Sequence, residues 1–172
     1  MKLFLSLLFS CLTFYSIAQT TTYPVPPTTS ERLFYLQRNA NTNTVVYDAN
    51  LTANKDLDSK NPIKVYWISY EQGGIIEDLN YEQRTLAYGV KTKAIAQNHY
   101  EFTLVAYKKL TFTLQLDTHK QPVVTVTVNA KAIKVHRIFI QAEGKLKPKV
   151  QYIDFYGTDL TTNAAIHERL VP

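Results

Sequence analysis

The chain has 172 residues and a formal net charge of +5. Its one cysteine, Cys11, and its one methionine, Met1, both precede residue 19, so the remainder offers no thiol for a disulfide, a thiolate metal site or a cysteine nucleophile. With five glycines in all and no glycine-rich phosphate loop, the sequence also gives no indication of a nucleotide-binding fold.

The first eighteen residues have the pattern of a cleavable secretory signal. Lys2 supplies a positive start, Leu3–Leu12 is largely apolar, and Ser16-Ile17-Ala18 has the small-x-small form that a signal peptidase accepts. The apolar run is shorter than the ~20 residues of a membrane span. We therefore expect a secreted protein, periplasmic or extracellular, without a transmembrane segment. A retained anchor and a lipid-modified Cys11 are the alternatives.

A leader rich in threonine and proline follows at residues 19–30, and a single β domain is expected over residues 31–172. Pro24, Pro26 and Pro27 disfavour both helix and sheet in the leader, which is therefore predicted to be extended.

The domain begins with two predicted strands, Arg32–Arg38 and Thr44–Asp48, around an asparagine-rich turn at Asn39–Asn43. Asparagine tolerates left-handed backbone, so this pattern indicates a hairpin. The next strand, Ile63–Tyr70, carries bulky residues on both faces. It is predicted to be central or to present a binding surface on one side.

A short helix is predicted over Tyr81–Tyr88. Asn80 and Gln83 form a capping-box pattern at its start, and Gly89 ends it. A helix of about two turns needs a sheet to rest on. A second short helix, capped by Asn163 and running through Leu170, is predicted at the C-terminus.

Alternation of period two then predicts a meander of strands separated by polar turns. In the strand predicted over Ala132–Ala142, Ile133 and Val135 are out of phase with Ile138 and Ile140. A β-bulge near His136-Arg137 would restore the register, and the alternative is a strand buried on both sides there. The predicted strands are Tyr100–Tyr107, Leu110–Leu116, Val123–Val128, Ala132–Ala142 and Val150–Tyr156.

About eight strands with so little helix predict an all-β fold. An antiparallel barrel or sandwich closes such a sheet most economically, because it protects the strand edges. The alternative is an open antiparallel sheet with the short helix covering one face.

Three segments resemble a known family: LFYLQRNANTNTVVYDAN at Leu33–Asn50, NPIKVYWISY at Asn61–Tyr70 and LNYEQRTLAYGV at Leu79–Val90. They are similar to the family called domain of unknown function 4833, a group of uncharacterised secreted bacterial β proteins. The resemblance implies a shared framework in these segments and carries no activity.

Aromatic residues suggest a candidate ligand site. If the helix covers the strand before it, tyrosines and one guanidinium would wall a pocket suited to planar or anionic small molecules and sugars. The alternative is that the tyrosines fill an ordinary β core. The candidate residues are Tyr66, Trp67, Tyr70, Tyr81, Arg84 and Tyr88.

Charged and polar clusters suggest two weaker sites. Lys131, Lys134 and Arg137 belong to a basic region that would attract an anionic partner, although lysines at turns are usually solvated. One loop carries several side-chain oxygens of the kind that bind calcium, but it lacks the glycine and the glutamate of an EF-hand loop. The alternative is a plain solvated loop. The loop residues are Asp48, Asn50, Asn54, Asp56 and Asp58.

No catalytic set is evident from local spacing. The histidines, His99, His119, His136 and His167, lack the spacing of paired metal ligands, and no serine lies in a nucleophile-elbow motif. We therefore expect a non-catalytic module that binds a small molecule, glycan or envelope protein, with no cofactor and no nucleic acid. An envelope hydrolase using His136 or His99 and a structural scaffold domain are the alternatives.

Overall fold

The computed structural model describes residues 22–144 and 148–172. The predicted signal peptide and the first three residues of the leader lie outside the described residues. Within them, the protein is mostly β, with 60% strand and almost no helix, and its eleven strands form one curled half-barrel sheet. The prediction of an all-β fold is confirmed.

The strands are bounded as follows: β1 Arg32–Arg38, β2 Asn41–Ala49, β3 Ile63–Ser69, β4 Ile75–Asp78, β5 Val90–Ala96, β6 His99–Leu104, β7 Tyr107–Leu116, β8 Pro122–Val128, β9 Lys131–Glu143, β10 Lys149–Asp159 and β11 Ala165–Leu170. A single 3₁₀ turn, Tyr70–Gln72, follows β3, and a π-helix, Gln83–Ala87, follows β4.

Strand β9 is the branch point of the sheet. Its first residues, Lys131–Lys134, pair with β8, and its later residues, Arg137–Ile140, pair with β1. Strand β10 pairs with β9, and β11 pairs with β10. Two arms therefore leave β9 side by side: β1-β2-β3-β4 and β8-β7-β6-β5.

The predicted β-bulge is present at the junction of the two arms. Arg137 pairs with Tyr156 and Val135 pairs with Gly157, which leaves His136 as the extra residue. His136 is exposed. The extra residue shifts the in–out alternation of β9 by one position. Val135 before the bulge and Ile138 after it can therefore both face the main core.

The main core lies between the two arms. Its aromatic centre is Phe34 of β1, which stacks on Tyr47 of β2 at a ring distance of 4.3 Å and on Phe112 and Phe102 of the other arm at 5.8 Å and 6.3 Å. All four rings are buried. Phe34 therefore joins one arm to the other.

Strand β3 has the two apolar faces that its sequence predicts. Ile63, Val65 and Trp67 belong to the main core, while Tyr66 and Ile68 form a second cluster with Val46 on the opposite face.

The leader lies across that opposite face. The side-chain amide of Gln37, which is buried, donates to the Pro24 carbonyl at 2.7 Å and to Thr44 Oγ1 at 2.9 Å. The Tyr23 ring meets Phe139 edge-on at 5.0 Å.

The prediction of a C-terminal helix is wrong. Residues Ala165–Leu170 form β11, which pairs with β10 over its whole length. Alanine, glutamate, arginine and leucine favour helix locally, but the open edge of β10 offers ladder hydrogen bonds that a peripheral helix would leave unmade. Asn163 has a positive φ of 56° and lies in the hairpin turn instead of capping a helix.

The strand count and strand directions also differ from the prediction. Strands β4 and β5 were not predicted, because β4 is four exposed residues long and β5 carries lysines and small residues that are mostly exposed. The β1–β9 pair is parallel within an otherwise antiparallel sheet. No short crossover is required, since almost the whole domain separates these two strands in sequence.

Candidate functional site

An apolar cavity of about 960 Å³ opens between the arms at one end of the half-barrel. The β1–β2 turn, the β6–β7 turn and the end of the π-helix surround it, together with residues 142–144 at the end of β9 and 148–150 at the start of β10. This volume is at the upper end of the range of small-molecule pockets, which is about 300–1,000 Å³. Its walls are formed mainly by aliphatic and aromatic residues, including Leu36, Leu104, Leu110, Phe112, Ile138, Ile140, Val150, Ile153 and Phe155.

Among the lining residues that the structure describes, Arg38 is the one that carries a charge. Its guanidinium carbon lies 5.8 Å from the ring centroid of Trp67 and 5.6 Å from that of Tyr88. Its Nε is buried and has no hydrogen-bond partner among the described residues. The ion pairs found in residues 22–144 and 148–172 do not include Arg38.

Tyr88 is held in place by the core and by the helix before it. The buried Tyr47 hydroxyl donates to the Tyr88 carbonyl at 2.8 Å. The Tyr88 ring meets Trp67 edge-on at 5.0 Å, and burial raises the pKa of Tyr88, partly offset by the charge of Arg38. Both aromatic rings beside Arg38 are therefore fixed before any ligand arrives.

The helix that ends at Tyr88 has the predicted capping box. The Gln83 amide donates to Asn80 Oδ1 at 2.8 Å, and the Asn80 amide donates to Gln83 Oε1 at 3.0 Å. The Tyr88 amide closes the last turn on the Gln83 carbonyl at 2.7 Å. A side chain at Gly89 would place its Cβ only 1.9 Å from the Arg84 carbonyl oxygen, so glycine is required there.

The structure separates the six aromatic-site residues predicted from sequence. Trp67 and Tyr88 meet beside the cavity, but Tyr66 and Tyr70 lie on the other face of β3 because residues alternate along a strand. The Tyr66 hydroxyl donates to Asp48 at 2.7 Å, and Asp48 also accepts a hydrogen bond from Arg32 at 2.6 Å.

Of the other two predicted residues, Tyr81 precedes the π-helix and Arg84 lies on it. Tyr81 is 80% exposed, and the Arg84 guanidinium donates to the Leu79 carbonyl at 3.3 Å. Neither lines the cavity. The guanidinium beside the aromatic pair belongs to Arg38 instead.

Each member of the basic region has its own surroundings. Lys131 forms an ion pair with Glu168 of β11. Lys134 is half-buried on β9. The Arg137 guanidinium lies 5.1 Å from the Tyr156 ring centroid and 5.6 Å from that of Phe139, on the face opposite the cavity.

The loop oxygens weighed as calcium ligands serve local hydrogen bonds. Asp48 belongs to the pair with Arg32 described above, and the Asn50 side chain donates to the Asn61 carbonyl at 2.9 Å. Asp56 accepts from Asn98 at 2.9 Å, Asp58 accepts from the Asn61 amide at 2.7 Å, and Asn54 is exposed. These contacts favour the plain loop.

The histidines are dispersed. Only His167, in the part of the chain that the structure describes, has a carboxylate within 4.0 Å: its Nε2 lies 3.0 Å from buried Asp154. Arg169 occupies both oxygens of the same carboxylate at 2.7 Å. No group of three or more metal-ligating side chains was found in residues 22–144 and 148–172.

The sequence contains a signal for Arg38 that the aromatic pattern obscures. Phe34, Leu36 and Arg38 are spaced two residues apart on β1, so they point toward the same side of the sheet. Phe34 and Leu36 are buried in the core. A charge in phase with core residues at the end of a strand indicates an inward-facing cation.

Comparison with known proteins gives one match. The model of the family described as "Domain of unknown function (DUF4833)" matches residues 34–169, which is most of the chain. Neither the curated proteins nor the solved structures contain a match. Among the residues that the structure describes, no helix combines the length and apolarity needed to cross a bilayer.

Proposed function

The chain belongs to the DUF4833 family, which has no assigned function, and from its geometry we propose that it is a non-catalytic binding protein for an apolar small molecule. The cavity between the two arms carries this proposal. It is an open apolar cleft of about 960 Å³, within the size range of small-molecule sites, and side chains of the core line it.

The surroundings of the cavity support a preformed site. Its floor is the aromatic and aliphatic core, and the strands on both sides are joined by Phe34. Leu86, at the π-helix, is 72% exposed although it lines the opening.

Direct binding of a neutral probe tests the proposal. We expect the purified protein to bind N-phenyl-1-naphthylamine with enhanced probe fluorescence and to release it when dodecanol is added. Native mass spectrometry of protein purified from its own envelope should show an additional bound mass. A protein that binds neither neutral probe would contradict the proposal.

Two matched variants on β9 locate the site. Ala142 lines the cavity, whereas Ala132 lies outside it, near the other end of the same strand. Ala142→Trp should reduce probe binding at least fivefold, and Ala132→Trp should leave it unchanged. Equal effects of the two substitutions would place the probe elsewhere.

The proposed location is the periplasm or the cell exterior, reached by cleavage before Gln19. The pattern of the first eighteen residues supports this. The intact mass of the exported protein should equal that of residues 19–172. A mass that includes a lipid on Cys11 would contradict both the cleavage site and release from the membrane.

A further inference from the structure

We propose that the ligand of this cavity is a long-chain carboxylate, whose head group pairs with Arg38 while its chain lies along the apolar wall; this inference rests on the proposed function. The main observation is a guanidinium in the wall of an apolar cavity with a buried nitrogen that has no acceptor among the described residues.

The aromatic rings determine which part of Arg38 remains for a ligand. Trp67 and Tyr88 both lie within 6 Å of the guanidinium carbon, at the distance of a cation–π contact. Such contacts hold the cation by its charge, and they supply no lone-pair acceptor for its N–H donors. The rings therefore hold the charge in place without satisfying its donors.

The unmade hydrogen bonds specify an anion. A buried donor without an acceptor lowers stability, and the loss is larger when the donor is charged. Asp48, Asp154 and Glu168 each pair with another cation, so none of them neutralises Arg38. The Trp67 indole Nε1 is a second buried donor without a described partner. Two uncompensated donors beside one cavity favour an acceptor that arrives with the ligand.

The shape of the site favours a carboxylate with a long chain. A guanidinium and a carboxylate match in two parallel hydrogen bonds, and the pair is strong where water is excluded. Beyond Arg38 the wall is apolar along β9 and β10, from Ile138 and Ile140 to Val150 and Ile153. A ligand with one anionic end and an aliphatic chain satisfies both parts.

Three ligands that share one chain length test the charge preference on unaltered protein. Calorimetric titration with dodecanoate, dodecanol and dodecyltrimethylammonium should give at least tenfold tighter binding of dodecanoate than of dodecanol, and the weakest binding for the cation. Dodecanoate should also change the emission of Trp67, the one tryptophan of the chain. Equal affinities for dodecanoate and dodecanol would overturn the inference and leave the proposed function standing.

Arginine variants assign the preference to one residue. Arg38→Met should abolish the preference for dodecanoate over dodecanol when both are measured on the same variant, a loss of at least tenfold. Arg137→Met is the matched control, because Arg137 also lies beside two aromatic rings, on the opposite face, and its buried Nε likewise has no partner within residues 22–144 and 148–172.

The control variant and the neutral ligand separate the possible failures. A loss of dodecanoate preference in Arg137→Met but not in Arg38→Met would refute the assignment to Arg38. If Arg38→Met does not fold, Arg38→Lys and the comparison of the three ligands on unaltered protein still decide the question. Failure of all three ligands to bind would count against the proposed function itself.

Discussion

Replacing Phe34 with alanine should loosen the contact between the two arms. The Phe34 ring is fully buried and stacks on three others, with centroid distances of 4.3, 5.8 and 6.3 Å. Phenylalanine-to-alanine changes in cores cost about 3–5 kcal/mol, and favourable ring pairs add about 0.5–1.5 kcal/mol beyond area burial. Because Phe34 stacks on three rings, we expect Phe34→Ala to lower the free energy of unfolding by about 4–5 kcal/mol, near the upper end of this range.

Urea and thermal unfolding measure this loss. For a domain of this size, 1 kcal/mol corresponds to about 2–4 °C, so the Tm of Phe34→Ala should fall by about 8–20 °C. Phe34→Leu, which keeps most of the volume but loses the ring stacking, should cost about 1.5 kcal/mol.

The control is the same chemical change on the other face of the sheet. Phe139 is partly exposed and meets one ring edge-on at 5.0 Å, so Phe139→Ala should cost only about 1–2 kcal/mol. If Phe34→Ala destabilises the protein no more than Phe139→Ala does, the arms are not joined through the aromatic centre, and the reasoning is refuted.

Three further substitutions test local features. Gly157→Ala would place a Cβ 2.1 Å from a backbone carbonyl of β9, so unfolding free energy should fall by about 3 kcal/mol; a loss below 1 kcal/mol would contradict the close packing opposite the bulge. Arg169→Met should lower the free energy of unfolding at pH 7, because buried Asp154 loses two charged hydrogen bonds. Burial raises the pKa of Asp154, but hydrogen bonds from Arg169 and His167 outweigh it and lower that pKa below its usual value. The stabilisation by ionised Asp154 is present above its unfolded pKa of about 3.9 and is lost as pH falls through its folded pKa. The stability of Arg169→Met should therefore depend less on pH in acid unfolding experiments. An unchanged pH dependence would show that Arg169 does not stabilise the Asp154 carboxylate. Asn80→Ala should speed amide hydrogen exchange at Gln83, which loses its capping acceptor, with about 1 kcal/mol less local protection; unchanged exchange would show that the cap does not hold the helix.

Local rules were sufficient where one segment determines its own structure. The capping box between Asn80 and Gln83 needs only four residues of sequence, and it forms as predicted. The bulge at His136 follows from the phase of Ile133 and Val135 against Ile138, all of which must face one core. In both cases the physical cause is contained in the chain segment itself.

Pairing between distant segments could not be predicted in the same way. Residues Ala165–Leu170 have helix-forming composition, and they become a strand because the edge of β10 is available. The parallel contact of β1 with β9 depends on the bulge, which ends the pairing of β9 with β8 and leaves room for a second neighbour. Neither partner can be read from the segment alone.

The candidate site shows the same division. Trp67 and Tyr88 were identified because aromatic residues on neighbouring elements are visible in the sequence, and they do meet beside the cavity. Arg38 and the cavity itself require the curvature of the sheet, which brings the β1–β2 turn against the helix end. Tyr66 was included although strand alternation assigns it to the face opposite Trp67.

The position of Arg38 links the stability of the sheet to its binding chemistry. Arg38 ends β1, the strand that Phe34 joins to the other arm, and it contacts Tyr88, whose carbonyl is held by the core residue Tyr47. A partly desolvated guanidinium between two fixed rings lowers stability unless an acceptor reaches it. A ligand that supplies this acceptor should therefore raise the free energy of unfolding with the logarithm of its concentration relative to its Kd, and it should raise it less in Arg38→Met, where only the apolar contribution to binding remains.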